Sequence, residues 1–329
     1  MKKLLDMATA NRQGGSKKSV YAALFGNLGI AITKLIAALF TASASMWSEA
    51  FHSISDTFNQ VLLLIGMKTG SQPPDESHQF GHSKREFFWA FVVSVLLFGI
   101  AGLLSIFRGY ISLHAGDLQE FLRHAIILYI VFGISFGFEA NSLRVAYKHV
   151  SETIRSNGKD ISFSTIIEEL RNGRDPMIMT VIVEDSAAIA GLVIAVLAVS
   201  LSVITRNIVF DSIGSFMIGG ILMSFAAFLA YENQRLLIGE SLQKEEYEKV
   251  SKNIMEVPEV KRILTLKTMI LGPVDVMVGV DVELIDSLEI ENVESVINHI
   301  KKKIRQAIPS INLEFVFVEV DEYRKKGAT

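Results

Sequence analysis

His52 and Asp56 form the pair of residues whose spacing points most directly to chemistry. They lie four positions apart in the stretch WSEAFHSISDTFNQ, so a helix would place both side chains on one face. An imidazole and a carboxylate one turn apart form half of a tetrahedral metal site. The alternative is an ion pair that neutralises itself inside a helix bundle, and the spacing alone does not separate the two interpretations.

Glu184 and Asp185 are adjacent carboxylates in a strongly apolar stretch. Each such group costs about 2.5–3.5 kcal/mol to insert into a membrane and therefore requires a cation, a proton or a basic partner. Neighbouring helical residues point about 100° apart, so one carboxylate can face the first pair while the other faces another helix. Alternatively, one acid is functional and the other pairs with a basic group such as Lys34 or Arg108.

A third group of candidate ligands lies in a short polar segment. Asp75, His78 and His82 have a spacing typical of metal sites built from a loop and a turn. Two histidines and one aspartate suit Zn²⁺. Two histidines in a polar loop are otherwise common, so the spacing alone is a weak signal.

The composition describes a membrane protein without thiol chemistry. Half of the 329 residues are apolar, 20% are charged and the mean hydropathy is +0.37, which excludes an ordinary soluble, fibrous or disordered chain. Because cysteine is absent, any metal must be held by His, Asp or Glu. The net charge of −3 predicts no nucleic-acid partner. No nucleotide-binding or hydrolase motif is present, so we predict that the protein is not an enzyme.

Six apolar stretches are long enough to cross a bilayer, at 20–42, 45–67, 86–113, 121–148, 175–204 and 210–232. Lys and Arg are concentrated in the N-terminal tail and in the second and fourth loops. This alternation predicts that both termini are cytoplasmic. The first residues contain too short an apolar stretch for a signal peptide, so we expect the plasma (inner) membrane of a prokaryote.

From about residue 239 the composition becomes that of a soluble domain. Apolar spacing predicts the order αββαβ, with elements at 244–255, 263–269, 274–284, 290–304 and 313–320. In the second strand, five valines from Val274 to Val282 share one face. We predict an α-helical six-span membrane domain over 1–238, with a long cytoplasmic loop at about 149–174. A cytoplasmic α+β domain over 239–323 and a tail at 324–329 complete the chain.

These features together resemble the cation diffusion facilitator family of divalent-metal/proton antiporters. The resemblance rests on four stretches of the sequence: Asn27…Lys34, His52-xxx-Asp56, Pro74-Asp75…His78-Gln-Phe-Gly-His82-Ser-Lys-Arg-Glu86 and Asp211-Ser-Ile-Gly-Ser. It covers about residues 17–323. The stretches WSEAFHSISDTFNQ and VEDSAA are most similar to the zinc-transporter-nine-like branch. The soluble part resembles the family's metallochaperone-like dimerising domain.

The resemblance implies a transport site formed by four side chains of the second and fifth spans. His52 and Asp56 match the first pair and Asp185 matches the last ligand, but the remaining position falls on Val181, which cannot coordinate a metal. We therefore expect Glu184 or a water molecule to supply the fourth ligand. Three oxygens and one nitrogen suit Mn²⁺, Fe²⁺ or Co²⁺ as well as Zn²⁺, and Cd²⁺ is a further candidate.

Asp75, His78 and His82 match the family's loop site residue for residue. The family's metal site in the soluble domain falls on a poorly suited set, namely Leu264, Asp281, Glu319 and Asp321. We expect that site to be weak or empty, which leaves the domain mainly as a dimer contact.

The resemblance thus predicts a homodimer, joined through the C-terminal domain and the membrane helices. It would move a divalent metal, zinc above all, out of the cytoplasm in exchange for protons by alternating access. One alternative is a Mn²⁺, Fe²⁺ or Co²⁺ transporter with the same mechanism. Another is a family member that senses metal or acts as a scaffold without transporting. An enzyme that uses Glu184 and Asp185 as acid and base is disfavoured because no nucleophile accompanies them.

Overall fold

The computed structural model describes residues 24–156, 160–162, 164–167, 176–286, 288–309 and 311–321. The predicted tail at 324–329 lies outside the described residues, as do parts of the predicted loop at 149–174.

Six long helices correspond to the six predicted spans. They are α1 (Leu24–Thr41), α2 (Ala44–Gly70), α3 (Lys84–Ala115), α4 (Leu118–Ser156), α5 (Pro176–Thr205) and α6 (Val209–Ile238). Among the described helices, all of these except α2 are long and apolar enough to cross a membrane by composition alone. The predicted class, a helical membrane protein with a C-terminal α+β domain, is confirmed.

The α2 helix lacks a continuous stretch as apolar as those of the other five helices because it carries a buried polar face. The residues of this face recur every three or four positions, which keeps them within about 100° of one another around the helix axis. They are at most 6% exposed and comprise Ser45, Ser48, Glu49, His52, Asp56 and Asn59. The polar face of α2 is therefore turned into the bundle, where other helices can supply partners.

Asp211, near the start of α6, satisfies the backbone at the beginning of α2. Its carboxylate accepts hydrogen bonds from the backbone N–H groups of Ala44 and Ser45, at 2.5 and 3.3 Å, and from the Ser43 hydroxyl at 3.0 Å. The first N–H groups of a helix have no partner within the helix, and a negative charge there also interacts favourably with the helix dipole. The start of α2 is thus capped by a residue far away in the sequence.

The α3 and α6 helices approach each other closely through glycines. A Cβ atom at Gly109 would lie 3.0 Å from the carbonyl oxygen of Ser212, and one at Gly219 would lie 2.9 Å from that of Gly102. Small residues at such contacts are typical of helix packing in membranes. Gly219 belongs to this close contact, whereas the neighbouring Gly220 has open space beside it.

The described chain divides into two compact units. One contains the residues up to Gly66 together with Trp89–Glu232. The other contains Met67–Phe88 together with the residues from Asn233 onward. The segment with the predicted loop site thus belongs to the same unit as the C-terminal sheet.

The C-terminal domain has the predicted order αββαβ. It consists of α7 (Lys244–Met255), β1 (Val260–Ile270), β2 (Val276–Leu284), α8 (Val293–Ala307) and β3 (Val316–Val320). The sheet order is β1-β2-β3, with β1 antiparallel and β3 parallel to β2. Alternate valines of β2 from Val276 to Val282 are buried, which confirms one predicted face. Val274 does not share it, because the strand begins two residues later and Val274 is 57% exposed.

We predict that Asp211→Ala destabilises the protein by about 2 kcal/mol or more. The substitution leaves buried N–H groups at the start of α2 without acceptors, and each unsatisfied buried group costs about 1–3 kcal/mol. Unfolding by SDS in mixed micelles measures the free energy. Asp117→Ala is the control, because Asp117 caps the exposed start of α4 through two N–H groups and its loss should cost about 1 kcal/mol. Equal effects of the two substitutions would contradict the assigned role of Asp211.

Candidate metal centres

The His52–Asp56 pair lies on the buried polar face of α2. Nε2 of His52 is 3.5 Å from Oδ2 of Asp56, and the two side chains are 1% and 9% exposed. Both ring nitrogens of His52 and the Oδ1 atom of Asp56 lack a hydrogen-bond partner among the described residues. A buried polar atom without a partner costs about 1–3 kcal/mol. The pair therefore presents electron donors in a place where a cation or a proton would be stabilised.

Glu184 and Asp185 face different helices from adjacent positions on α5. Oε1 of Glu184 accepts a hydrogen bond of 2.7 Å from Nδ2 of Asn59 on α2. The carboxylate of Asp185 instead accepts one from the side chain of Ser142 on α4. Oδ2 of Asp185 is buried and has no partner within the described part of the chain.

The four predicted transport-site residues are near one another without forming a closed coordination shell. The charges of Glu184 and Asp185 both act on Asp56. In the part of the chain that the structure describes, no three of the four bring ligand atoms within 4.8 Å of one another. Val181 is partly buried and offers no ligand atom. Binding one ion by all of these residues therefore requires α2 and α5 to adjust around it.

Lys34 is held by two carboxylates, neither of which belongs to the Glu184–Asp185 pair. Nζ of Lys34 on α1 is 2.8 Å from Oε2 of Glu49 on α2 and 3.9 Å from Oε1 of Glu139 on α4. All three side chains are buried. A Cβ atom at Gly191 of α5 would lie 2.7 Å from Oε1 of Glu49, so this glycine leaves room for the carboxylate. One sequence signal was available, because Glu49 precedes His52 by three residues and shares its helix face.

Among the described residues, neither Lys34 nor Arg108 pairs directly with the adjacent carboxylates of α5. Lys34 has the two acidic partners given above, and the guanidinium of Arg108 lies over the Trp47 ring at 4.6 Å from its centroid. An arginine placed in this way makes a cation–π interaction. Glu184 is instead stabilised by a neutral amide.

Asp75, His78 and His82 form the compact cluster that their spacing predicted. Nε2 of His82 is 2.9 Å from Oδ2 of Asp75, and Nδ1 of His78 is 3.6 Å from Oδ1 of the same carboxylate. One ligand atom from each residue lies within 4.8 Å of the others. Within the described residues, this is the group of three or more His, Asp or Glu side chains that is close enough to hold a metal ion. Two imidazoles and a carboxylate leave a fourth position of a tetrahedral zinc site for water or another ligand.

The loop keeps its carboxylate ionised. A hydrogen bond from the Ser77 hydroxyl, followed by the contacts with His82 and the His78 backbone N–H, holds the pKa of Asp75 well below its usual range. Gly81 has a φ of +81°, a left-handed conformation that favours glycine, and it lets the chain turn between the two histidines and α3. An ionised carboxylate in a fixed turn is ready to bind a cation.

The loop is anchored on the C-terminal sheet within the same unit. The ring of Phe80 lies 5.9 Å from that of Phe315 and 6.2 Å from that of Phe317, measured between centroids. The hydroxyl of Ser83 donates a hydrogen bond to the carboxylate of Asp275. The loop cluster is therefore supported by β3 and by the turn between β1 and β2, in addition to the hydrogen bonds within the loop itself.

The acidic residues of the C-terminal domain lie together on neighbouring strands. Asp281 of β2 is in register with Glu319 of β3. Partial desolvation, together with the negative charges of Asp321 and Glu319, raises the pKa of Asp281. Leu264, the position where a histidine would be needed, offers no ligand atom. The group is purely carboxylate and thus differs in donor chemistry from the loop cluster.

Two family models match the chain in succession. The model described as "Cation efflux transmembrane domain" matches residues 20–238. The model described as "Cation efflux protein, cytoplasmic domain" matches residues 242–323. Together they cover both the helical part and the αββαβ domain.

Several known proteins are similar to this chain. A Homo sapiens protein described as "Proton-coupled zinc antiporter SLC30A9, mitochondrial" is 34% identical over 240 residues, or 73% of this chain and 41% of that protein. "Metal tolerance protein C4" of Arabidopsis thaliana is 30% identical over 78% of this chain and 55% of its own length. "Uncharacterized transporter MJ0449" of Methanocaldococcus jannaschii is 22% identical over 93% of this chain and 98% of its own. The chain spans less than half the length of the human relative.

We predict that Lys34→Met lowers the free energy of unfolding by about 3–5 kcal/mol. Removing one partner of a buried ion pair leaves the carboxylates of Glu49 and Glu139 without their cation. SDS unfolding measures the loss. Lys244→Met removes an exposed pair with Glu248 and should cost about 0–1 kcal/mol. A loss for Lys34→Met no greater than for this control would show that Lys34 is not the balancing charge.

The loop cluster should bind one divalent ion that His82→Ala releases. His82 contributes a nearly buried imidazole in direct contact with Asp75, and metal binding requires this ring to be unprotonated. Elemental analysis gives zinc per chain. His299→Ala, on the exposed face of α8, should leave the content unchanged. Full zinc content in His82→Ala would rule the cluster out.

Proposed function

The chain belongs to the cation efflux family, and on that basis we propose that it exports a divalent metal ion, in the first place Zn²⁺, in exchange for protons. The observation that carries the proposal is the set of unpartnered buried donors on His52, Asp56 and Asp185 among the described residues. One imidazole and two carboxylates are ligands that Zn²⁺ accepts. The relatives described as zinc antiporters support zinc as the ion.

In the proposed cycle the site first opens to the cytoplasm. Deprotonated His52, Asp56 and Asp185 take up the ion, and the nearby charge of Glu184 adds to the attraction. The α2 and α5 helices then close around the ion, because the described side chains are not yet within coordination distance of one another. Rocking of the helices around a site near the middle of the membrane opens it to the other side.

Protons drive release because they bind to the same atoms as the metal. A histidine nitrogen or a carboxylate oxygen that carries a proton is no longer available as a ligand. Where protons are abundant, they therefore displace the ion, and the protonated site returns empty of metal. This competition couples the two movements without a nucleotide.

The charge pattern of the loops supports an arrangement with both termini and the C-terminal domain in the cytoplasm. We propose a homodimer joined through the C-terminal domain and the membrane helices, which the match to the family's cytoplasmic domain supports. The proposed location is a prokaryotic plasma membrane. A mitochondrial membrane is the alternative that the description of the human relative raises.

A second candidate ion is favoured by one observation. Val181 removes a ligand position from α5, and the donors that remain are mainly carboxylate oxygens. Such a set suits Mn²⁺, Fe²⁺ or Co²⁺ as well as Zn²⁺. Transport by the same cycle with one of these ions is therefore the alternative to zinc.

We predict that His52→Ala and Asp185→Ala each abolish metal-driven proton flux in proteoliposomes. Each substitution removes a ligand and a proton acceptor at once, so uptake of metal and release of protons should fall together, by at least tenfold. A pH-sensitive dye inside the vesicles and a panel of divalent ions outside them provide the measurement. Asp117→Ala, at an exposed helix start, is the control.

Wild-type flux in either site variant would remove the proposed site. The absence of flux in the wild-type protein with every ion of the panel would instead support a sensor or scaffold that does not transport.

A further inference from the structure

Asn59 is a buried polar residue of α2 to which the transport cycle above gives no role. We propose that Oδ1 of Asn59 is a ligand of the transported ion and that Glu184 holds the amide in position through Nδ2. The inference deepens the proposed function and rests on it. It replaces the ligand that Val181 cannot provide.

The position of Asn59 places its amide beside the metal-binding pair. It follows Asp56 by three residues and His52 by seven, so all three lie within about 60° of one another around the helix axis. Helical side chains lean toward the N-terminus of their helix and cover the preceding turn. The side chain of Asn59 therefore leans toward Asp56. His52 reaches Asp56 from the other side, with its Nε2 3.5 Å from the carboxylate.

The hydrogen bond to Glu184 determines which end of the amide is free. A carboxylate accepts hydrogen bonds, so the NH₂ group of Asn59 is the end that faces Oε1 of Glu184, at 2.7 Å. The amide oxygen then points elsewhere. It is fully buried and has no hydrogen-bond partner among the residues that the structure describes. An oxygen in this state is costly unless it binds a proton donor or a cation.

The chemistry of an amide oxygen fits this role. It is an uncharged oxygen ligand, so it adds coordination without adding to the negative charge already contributed by the nearby carboxylates. Glu184 gains a different role from that of Asp185: it positions a ligand, as an outer residue does around many metal centres. The neighbouring Gln60 also has a buried, unpartnered amide oxygen among the described residues, but it lies about 100° away around the helix.

The test measures metal binding rather than transport, in full-length protein that also carries His78→Ala and His82→Ala to silence the loop cluster. Zn²⁺ affinity is measured by calorimetry, and the visible absorption of bound Co²⁺ reports its ligands. Asn59→Ala should weaken Zn²⁺ binding by about 10–100-fold and change the Co²⁺ spectrum. Gln60→Ala, the matched amide control on another helix face, should do neither.

Two further substitutions separate the roles of Asn59 and Glu184. Glu184→Leu should weaken binding by about tenfold, and Glu184→Gln should restore most of the affinity because its carbonyl oxygen still accepts from Asn59. Asn59→Asp alone would set two carboxylates against each other, so it is combined with Glu184→Gln, whose amide can donate a hydrogen bond to the new carboxylate. The double variant keeps an oxygen at the site, so it should retain the ion and bind Mn²⁺ at least tenfold more tightly than Glu184→Gln alone. This variant also tests the proposal if Asn59→Ala does not fold.

The proposal is overturned if Asn59→Ala matches the wild-type protein in affinity and spectrum, or if adding Asn59→Asp to Glu184→Gln leaves Mn²⁺ binding unchanged. It is also overturned if Glu184→Gln weakens binding as much as Asp185→Asn, since Glu184 would then be the ligand itself. Asp185→Asn and His52→Ala distinguish a failure of the proposed function from a failure of the role proposed for Asn59. If both bind Co²⁺ as the wild-type protein does, the proposed function fails; if both lose it while Asn59→Ala does not, only the present inference fails.

Discussion

The structure depends on how negative charge is balanced inside an apolar bundle. Among the described residues, five buried carboxylates lie near the polar face of α2, and Lys34 is a fixed positive charge in direct contact with two of them. The carboxylates belong to Glu49, Asp56, Glu139, Glu184 and Asp185, and Lys34 contacts those of Glu49 and Glu139. One lysine cannot neutralise five acids. The remaining charge has to be met by protons or by a cation, and a site that requires one or the other is physically suited to exchanging them.

The five buried carboxylates have different roles because they have different partners. Glu49 and Glu139 hold Lys34, and in this way tie α1 and α4 to α2. Asp56 and Asp185 keep unpartnered oxygens among the described residues, so they remain available to an ion. One oxygen of Glu184 accepts a hydrogen bond from the Asn59 amide. The ion pairs of Lys34 with Glu49 and Glu139 therefore stabilise the packing of the helices, although Glu49 lies only one helical turn from His52.

The sequence predicted those parts of the molecule that depend on spacing along one element. The six helices, the order αββαβ and the compact cluster of Asp75, His78 and His82 all follow from local patterns. Three contacts join residues from distant segments: the pairing of Lys34 with Glu49, the hydrogen bond between Asn59 and Glu184, and the packing of Phe80 against Phe317 of β3. No periodicity encodes such contacts. Local errors concern the ends of elements: at Val274 the alternation begins in the sequence before the strand does, and Leu313–Phe315 forms a 3-10 turn ahead of the last strand.

The cap that Asp211 provides has a consequence for how the protein is made. Its carboxylate reaches the N–H of Ala44, a residue synthesised 167 positions earlier. Until the final span has been synthesised and packed against the second, the N–H groups of Ala44 and Ser45 lack this acceptor. The first turn of the second span is therefore completed only after the last span is in place, so the order in which the helices are made differs from the order in which their ends are completed.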